Sequence, residues 1–214
     1  MTREGFTFVL PALGISLVLF AIWALSSLAI VLALGGIFFF LTLFLIFFFR
    51  DPERKTPGGE NLVLSSADGK IISIKPFPSV DFVEGKGTLV SVFMSVFDVH
   101  VNRAPISGKV EHFKYNPGRF FPAFQDKASL ENEQTELGFQ NAHGRVMIKQ
   151  IAGIIARRIV CRVRRGDKLR AGQRFGLIKF GSRVDHLLPE NVEVRAGLDQ
   201  KVRAGETIIG VFKE

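Results

Sequence analysis

The 214-residue sequence is poor in cysteine, tryptophan and tyrosine, with one of each. A single cysteine, Cys161, excludes an intrachain disulfide and a cysteine-based metal cluster. It lies in the run Arg158-Ile159-Val160-Cys161 and reads as a buried structural thiol. Acidic residues are also in deficit: 28 Lys and Arg against 20 Asp and Glu give a net charge of +8. A chain this basic expects an anionic partner, and charge alone fits a nucleic acid or an anionic membrane surface. One Trp, one Tyr and no recognisable binding motif argue against the nucleic acid. A third deficit is local, because residues 5–49 carry no charge at all.

That uncharged run favours the membrane. As one helix its 45 residues would extend about 67 Å at ~1.5 Å per residue, against a hydrocarbon core ~30 Å thick, so its length suits two spans. The apolar core of a cleaved signal peptide is only ~7–15 residues long. A turn at Ser26-Ser27 divides the run more evenly than one at Gly35-Gly36, giving an α-helical hairpin over residues 1–49. Arg3 precedes the run, and Arg50, Arg54 and Lys55 follow it. Excess Lys and Arg marks the cytoplasmic side, so everything after Arg50 is expected there, whether the hairpin spans the bilayer or lies within one leaflet.

The rest of the chain is β-patterned. Asp51-Pro52 and Thr56-Pro57-Gly58-Gly59 make residues 50–60 a linker. Asn61–Ser66 reads as a short strand, Asp68-Gly69 has the composition of a hairpin turn, and Thr88–Val96 reads as a buried strand. Alternation through Phe97–Pro105 sets Asp98, His100 and Asn102 on one face of an extended segment. Those three residues suit an active-site wall or a solvated strand edge. His143 falls in a surface turn between two further strands. Near the C-terminus, Lys168-Leu169-Arg170-Ala171-Gly172 is echoed by Lys201-Val202-Arg203-Ala204-Gly205, the hairpin of biotinyl- and lipoyl-type barrel-sandwich domains. The expected fold is therefore mainly β, a barrel-sandwich built of two related halves behind the helical hairpin. No lysine sits between methionines at a hairpin tip, which argues against a swinging-arm carrier.

Several motifs, in order, resemble those of the phosphatidylserine decarboxylases of the short, single-barrel type: Ala67-Asp68-Gly69, Asp98-Val99-His100 through Pro105 and Gly108, Gly118-Arg119-Phe120, Asn132-Glu133, and Phe180-Gly181-Ser182. Removal of CO2 from an amino acid requires an electron sink that side chains do not offer. The resemblance implies that residues 61–214 form a decarboxylase domain that makes its own sink. Cleavage between Gly181 and Ser182 turns Ser182 into a pyruvoyl group, which forms a Schiff base with phosphatidylserine, and the two fragments remain one enzyme. A serine hydroxyl needs a base oriented by an acid, and the resemblance gives these roles to His100 and Asp68. Longer relatives carry two histidines three residues apart; here the second position is Arg103, so the base is assigned to His100. Asp98 and His100 also serve proton return to the carbanion. Arg119 and Lys127 are candidate cations for the substrate's phosphate and carboxylate, as is Arg183. Phe120, Phe121 and Phe124 read as core or lipid contacts. His186 matches no motif and reads as a surface residue. No metal is implied, and a homo-oligomer is admitted. The alternative is a non-enzymatic membrane-anchored barrel-sandwich adaptor.

Overall fold

The computed structural model describes residues 1–122, 131–153, 158–179 and 182–213. They fall into two compact units, Met1–Glu53 and Arg54–Glu214. The first is a pair of helices, α1 (Arg3–Ser26) and α2 (Ala29–Phe48). Thr2 caps α1 by accepting from the Gly5 N–H, and Ser27 ends it in the left-handed conformation (φ 53°). The break thus falls at the expected serine pair. Ser16 Oγ donates to the Gly35 carbonyl across the pair at 3.0 Å. Both helices are long and apolar enough to cross a membrane.

The second unit is all β among the strands described. In chain order these are β1 (Leu62–Leu64), β2 (Gly69–Phe77), β3 (Gly87–Met94), β4 (Val101–Arg103), β5 (Gly108–Asn116), β6 (Gln134–Gln140) and β7 (Arg145–Ala152). They continue with β8 (Ile159–Cys161), β9 (Lys168–Leu169), β10 (Arg174–Ile178), β11 (Ser182–Pro189), β12 (Val192–Val194), β13 (Lys201–Val202) and β14 (Ile208–Phe212). One antiparallel sheet runs β13-β2-β3-β11-β7-β6-β5-β9; two smaller ones are β1-β14-β12 and β4-β10-β8. Buried apolar side chains from all three, including Ile71, Val92, Phe139, Ile148, Val184 and Ile209, form the main core.

The order of the large sheet is symmetric about its β11–β7 centre, and the registers show why. β2 pairs β3 with a bulge between Ile71 and Ser73, and β5 pairs β6 with a bulge between Val110 and His112. β1 meets β14, and β4 meets β10, each with one register shift. Asp68 Oδ1 accepts from the Ala204 N–H at 2.8 Å, and Ser107 Oγ accepts from the Ala171 N–H at 2.9 Å. The domain is therefore two interleaved seven-strand copies: β1, β2, β3 and β11–β14 form one, and β4–β10 form the other. In the inner copy β6 and β7 are joined by the tight turn Asn141–Gly144. The matching ends in the outer copy are Met94 and Ser182, and the whole inner copy is inserted between them. The expected pair of related halves is present, but Asp68-Gly69 is not a hairpin turn: β1 and β2 lie in different sheets. Gly69 (φ 151°) is needed because a side chain there would strike the Phe93 carbonyl.

Candidate active site

Ser182 opens β11, a central strand with Met94 of β3 on one side and Ala152 of β7 on the other. It is fully buried, and its hydroxyl donates to the Met94 thioether at 3.2 Å. A thioether is a weak acceptor, so this hydroxyl is dry and only lightly held. Gly181 lies outside the described residues, as do Phe180, Phe124 and Lys127.

His100 is buried just ahead of β4. Its carbonyl accepts from the Ile178 N–H at 3.3 Å, on the strand that leads toward residue 182. Its Nδ1 lies 3.0 Å from the Asp98 carbonyl oxygen. That oxygen can only accept, so Nδ1 carries the proton and Nε2 holds the lone pair, the tautomer a general base requires. Asn102, two residues on, reaches the same core face. Its Nδ2 donates to the Ser66 carbonyl at 3.3 Å and sits 3.9 Å from Met94 Sδ, while its Oδ1 accepts from Gln150 Nε2 at 2.7 Å.

Asp98 does not share an extended face with His100, as alternation predicts. The chain turns at Ser95–Asp98, and Asp98 Oδ2 folds back to accept from the Ser95 N–H and hydroxyl, at 2.8 and 2.7 Å. Its carboxylate closes the turn that delivers His100. Asp68 is also committed: besides Ala204, it holds Arg54 Nη2 at 2.6 Å. Among the described residues it makes no hydrogen bond to His100. Burial pushes the Asp68 carboxyl above the usual range, opposed by the Ala204 N–H and the Arg54 guanidinium, with nearby Asp98 pushing the same way as burial. The Asp68 carboxyl is thus engaged by Arg54 and the Ala204 N–H rather than by the imidazole. Arg54, counted in the sequence only as a flanking charge, is a buried partner of Asp68 and of Glu206.

Other expectations are corrected. His186 is fully buried rather than on the surface. Its Nε2 accepts from the Ser66 N–H at 2.8 Å, and its Nδ1 lies 3.3 Å from the Val90 carbonyl oxygen. Its lone pair is therefore used by the backbone, which removes it as a base for Ser182. Arg183 points away from the Ser182 face and is held by Asp185 at 2.6 Å and Ser91 at 2.7 Å. Cys161 is half-buried against the core rather than fully inside, and burial raises its thiol pKa. Arg119 is an exposed side chain 3.6 Å from Glu131. His143 is in an exposed turn as expected, stacked on Phe212.

Burial holds His186 at a pKa of about 4, down from 6.5. The unfolded chain then takes up its proton first, so this contribution to stability is complete above pH 6.5 and is lost as pH falls toward 4. His186→Gln keeps an acceptor for Ser66 and a donor for Val90 without titrating. Between pH 7 and 4, denaturant unfolding of the detergent-solubilised wild-type chain should show an extra loss of about 3 kcal/mol relative to the variant. Equal pH profiles would contradict the assignment.

Asn132 is a positioning residue whose role the sequence did not show. Its side chain accepts from the Phe121 N–H and donates to the Phe121 and Ala152 carbonyls, at 2.8, 2.8 and 2.7 Å. It ties the loop after β5 to the residue that pairs with Ser182. Asn132→Ala strands these buried groups and should cost about 1–3 kcal/mol in denaturant unfolding, with any chemistry at Ser182 slowed.

A buried serine hydroxyl, a buried histidine whose Nδ1 is held by a carbonyl, and a buried carboxyl are residue types that serine-initiated acyl transfer uses. A protein-family model described as phosphatidylserine decarboxylase matches residues 41–210. The chain is 47% identical over 213 residues to a protein named phosphatidylserine decarboxylase proenzyme from Ruegeria pomeroyi, covering 98% of this chain and 94% of that one. It is 46% identical to the proteins of that name from Geotalea uraniireducens (99% and 96% covered) and Geobacter sulfurreducens (98% and 95%). With the family model matched over most of its length and near-complete relatives at this identity, the chain belongs to the phosphatidylserine decarboxylase family.

Proposed function

We propose that this chain is a self-cleaving precursor that becomes a pyruvoyl-dependent decarboxylase, converting phosphatidylserine to phosphatidylethanolamine and CO2. The observation that carries the reading is the end-to-end likeness to proteins named as proenzymes of this decarboxylase. The burial of Ser182 at the junction of the two copies supports it.

In this reading His100 Nε2 takes the Ser182 proton as the hydroxyl oxygen adds to the Gly181 carbonyl carbon. The Gly181–Ser182 C–N bond breaks, leaving an ester and a free amine at residue 182. Loss of the Cα proton and of the Gly181 carboxylate gives dehydroalanine, which water converts to the pyruvoyl group and ammonia. The pyruvoyl carbonyl supplies the electron sink for the departing CO2. The residues around Ser182 fit such a group, because they form a dry face in which Met94, Asn102 and Gln150 present no competing nucleophile. In the same reading His100, with Asp98, holds a proton for return to the product, and the Asp98 carbonyl fixes its tautomer. Asp68 supplies the nearby carboxyl. Arg119, which is exposed, and Lys127, which lies outside the described residues, remain candidates for the lipid's phosphate and carboxylate. Residues 1–49 anchor the chain in the cell membrane, residues 50–60 link, and residues 61–214 act from the cytoplasmic side.

The test is to incubate the purified full chain with phosphatidylserine and sodium cyanoborohydride, then weigh its fragments. The expected product is a substrate adduct confined to the fragment beginning at residue 182, with phosphatidylethanolamine formed when reductant is absent. Turnover with an intact chain, or an adduct elsewhere, would contradict the proposal.

A further inference from the structure

Among the described residues three buried side-chain oxygens have no hydrogen-bond partner: Ser66 Oγ, Gln134 Oε1 and Gln150 Oε1. Gln134 pairs with Ile151, and Ile151 in turn pairs with Arg183, so Gln134 lies on the sheet face opposite Ser182. The other two belong to one cluster beside Ser182. Asn102 bridges them, donating through Nδ2 to the Ser66 carbonyl at 3.3 Å and accepting at Oδ1 from Gln150 Nε2 at 2.7 Å. The same Nδ2 sits 3.9 Å from the Met94 sulfur that receives the Ser182 hydroxyl.

The order of donors fixes which atom is left over. A backbone carbonyl can only accept, so Asn102 turns its NH2 to Ser66 and its oxygen to Gln150. Gln150 then turns its own NH2 to Asn102. Its Oε1 is left as an acceptor, because flipping the amide would set two oxygens against each other. A buried acceptor without a donor carries a desolvation cost that a ligand bringing an N–H or O–H would remove. Register gives its reach. Ser182 pairs with Ala152, and Val184 with Gln150, so Gln150 is the diagonal neighbour of Ser182 on one face. Such neighbours are ~7–8 Å apart, within reach of a long side chain. Gln150 is wholly buried, so its acceptor serves the interior.

The decarboxylation brings an N–H donor to residue 182, the amino group of the substrate. The nearby carboxylates are already engaged, Asp98 by Ser95 and Asp68 by Arg54 and Ala204. A neutral amide oxygen also suits an amine that must form a bond. It takes one N–H and leaves the lone pair free, whereas a carboxylate favours the charged ammonium, which has no lone pair to give. We propose that Gln150 Oε1 receives the substrate's amino group, so that Gln150 selects a head group carrying an N–H. This rests on the pyruvoyl reading above and adds to it the residue that recognises the reacting nitrogen.

The test uses the processed full chain in uncharged detergent, with dihexanoylphosphatidylethanolamine as the amine probe and sodium cyanoborohydride to trap it. This lipid has no carboxylate to lose, so trapping reads amine capture alone. The mass of the fragment beginning at residue 182 is followed against probe concentration. Gln150→Met should raise the half-saturating concentration about tenfold, the worth of one buried hydrogen bond. Dihexanoylphosphatidylcholine, which has no N–H on its nitrogen, should protect wild type and variant from trapping at equal concentrations. Gln150→Met also strands Asn102 Oδ1, so Asn102→Leu/Gln150→Leu, which removes both amides, repeats the measurement should the single variant fold poorly. An unchanged half-saturating concentration, or a parallel loss of protection by the choline lipid, overturns the proposal. An uncleaved wild-type chain, or no adduct on its small fragment, overturns the pyruvoyl reading and the proposal with it.

Discussion

Ser182→Ala should yield one uncleaved chain with no decarboxylase activity and essentially wild-type stability. The substitution removes a single oxygen whose hydrogen bond among the described residues goes to a thioether, a weak acceptor. Its loss should cost under about 1 kcal/mol, so unfolding in denaturant should barely move. The chemistry should stop altogether, because in the proposed mechanism this oxygen is the attacking nucleophile and then, as the ester oxygen, departs with the Gly181 carboxylate in the elimination that gives dehydroalanine. A denaturing gel and an activity assay on one preparation read both halves of the prediction. Cleavage at residue 182 in this variant would place the nucleophile elsewhere.

His100→Gln should slow self-cleavage by about 10²–10⁴-fold, the range of a general base. Glutamine is close in size and its amide can still donate to the Asp98 carbonyl in place of Nδ1–H. The turn and the neighbouring hydrogen bond from Ile178 are thereby kept while the basic nitrogen is lost. The readout is the half-time for appearance of the two fragments after synthesis. A wild-type half-time would remove His100 as the base. Arg103, which stands where longer relatives carry a second histidine, cannot take over as a base, since a guanidinium stays protonated.

Much of this was legible in the sequence because it rests on local rules. An uncharged run long enough for two spans, broken at a serine pair, becomes two helices joined at Ser26–Leu28. The repeated Arg-Ala-Gly turns mark two related halves. What did not show was how deep the duplication goes. Ser66-Ala67-Asp68-Gly69 and Pro105-Ile106-Ser107-Gly108 look unrelated as side chains, yet both hold the following turn through the same backbone N–H. The likeness lies in register and hydrogen bonding rather than in residue type.

The misreadings have a common cause. His186 reads as a surface residue, and Arg183 as a candidate substrate cation, because polar side chains in a strand usually meet water. β11 is a central strand covered on both faces, and its polar groups are buried only because each found a specific partner: Asp185 for Arg183, Ser66 and Val90 for His186. Such pairings span up to 120 residues of chain and leave no trace in local periodicity. Asp98 was misplaced because an extended segment was assumed where its own carboxylate makes a turn. Arg54 was read as a topology signal when it is the counter-charge of Asp68.

The central claim is that the peptide bond before Ser182 is the one this fold breaks. Intact mass measurement of the purified wild-type chain tests it most directly. The expected result is two species, one ending at Gly181 and one beginning at residue 182 with a blocked, borohydride-reducible N-terminus. A single full-length chain that nonetheless turns over phosphatidylserine would contradict it.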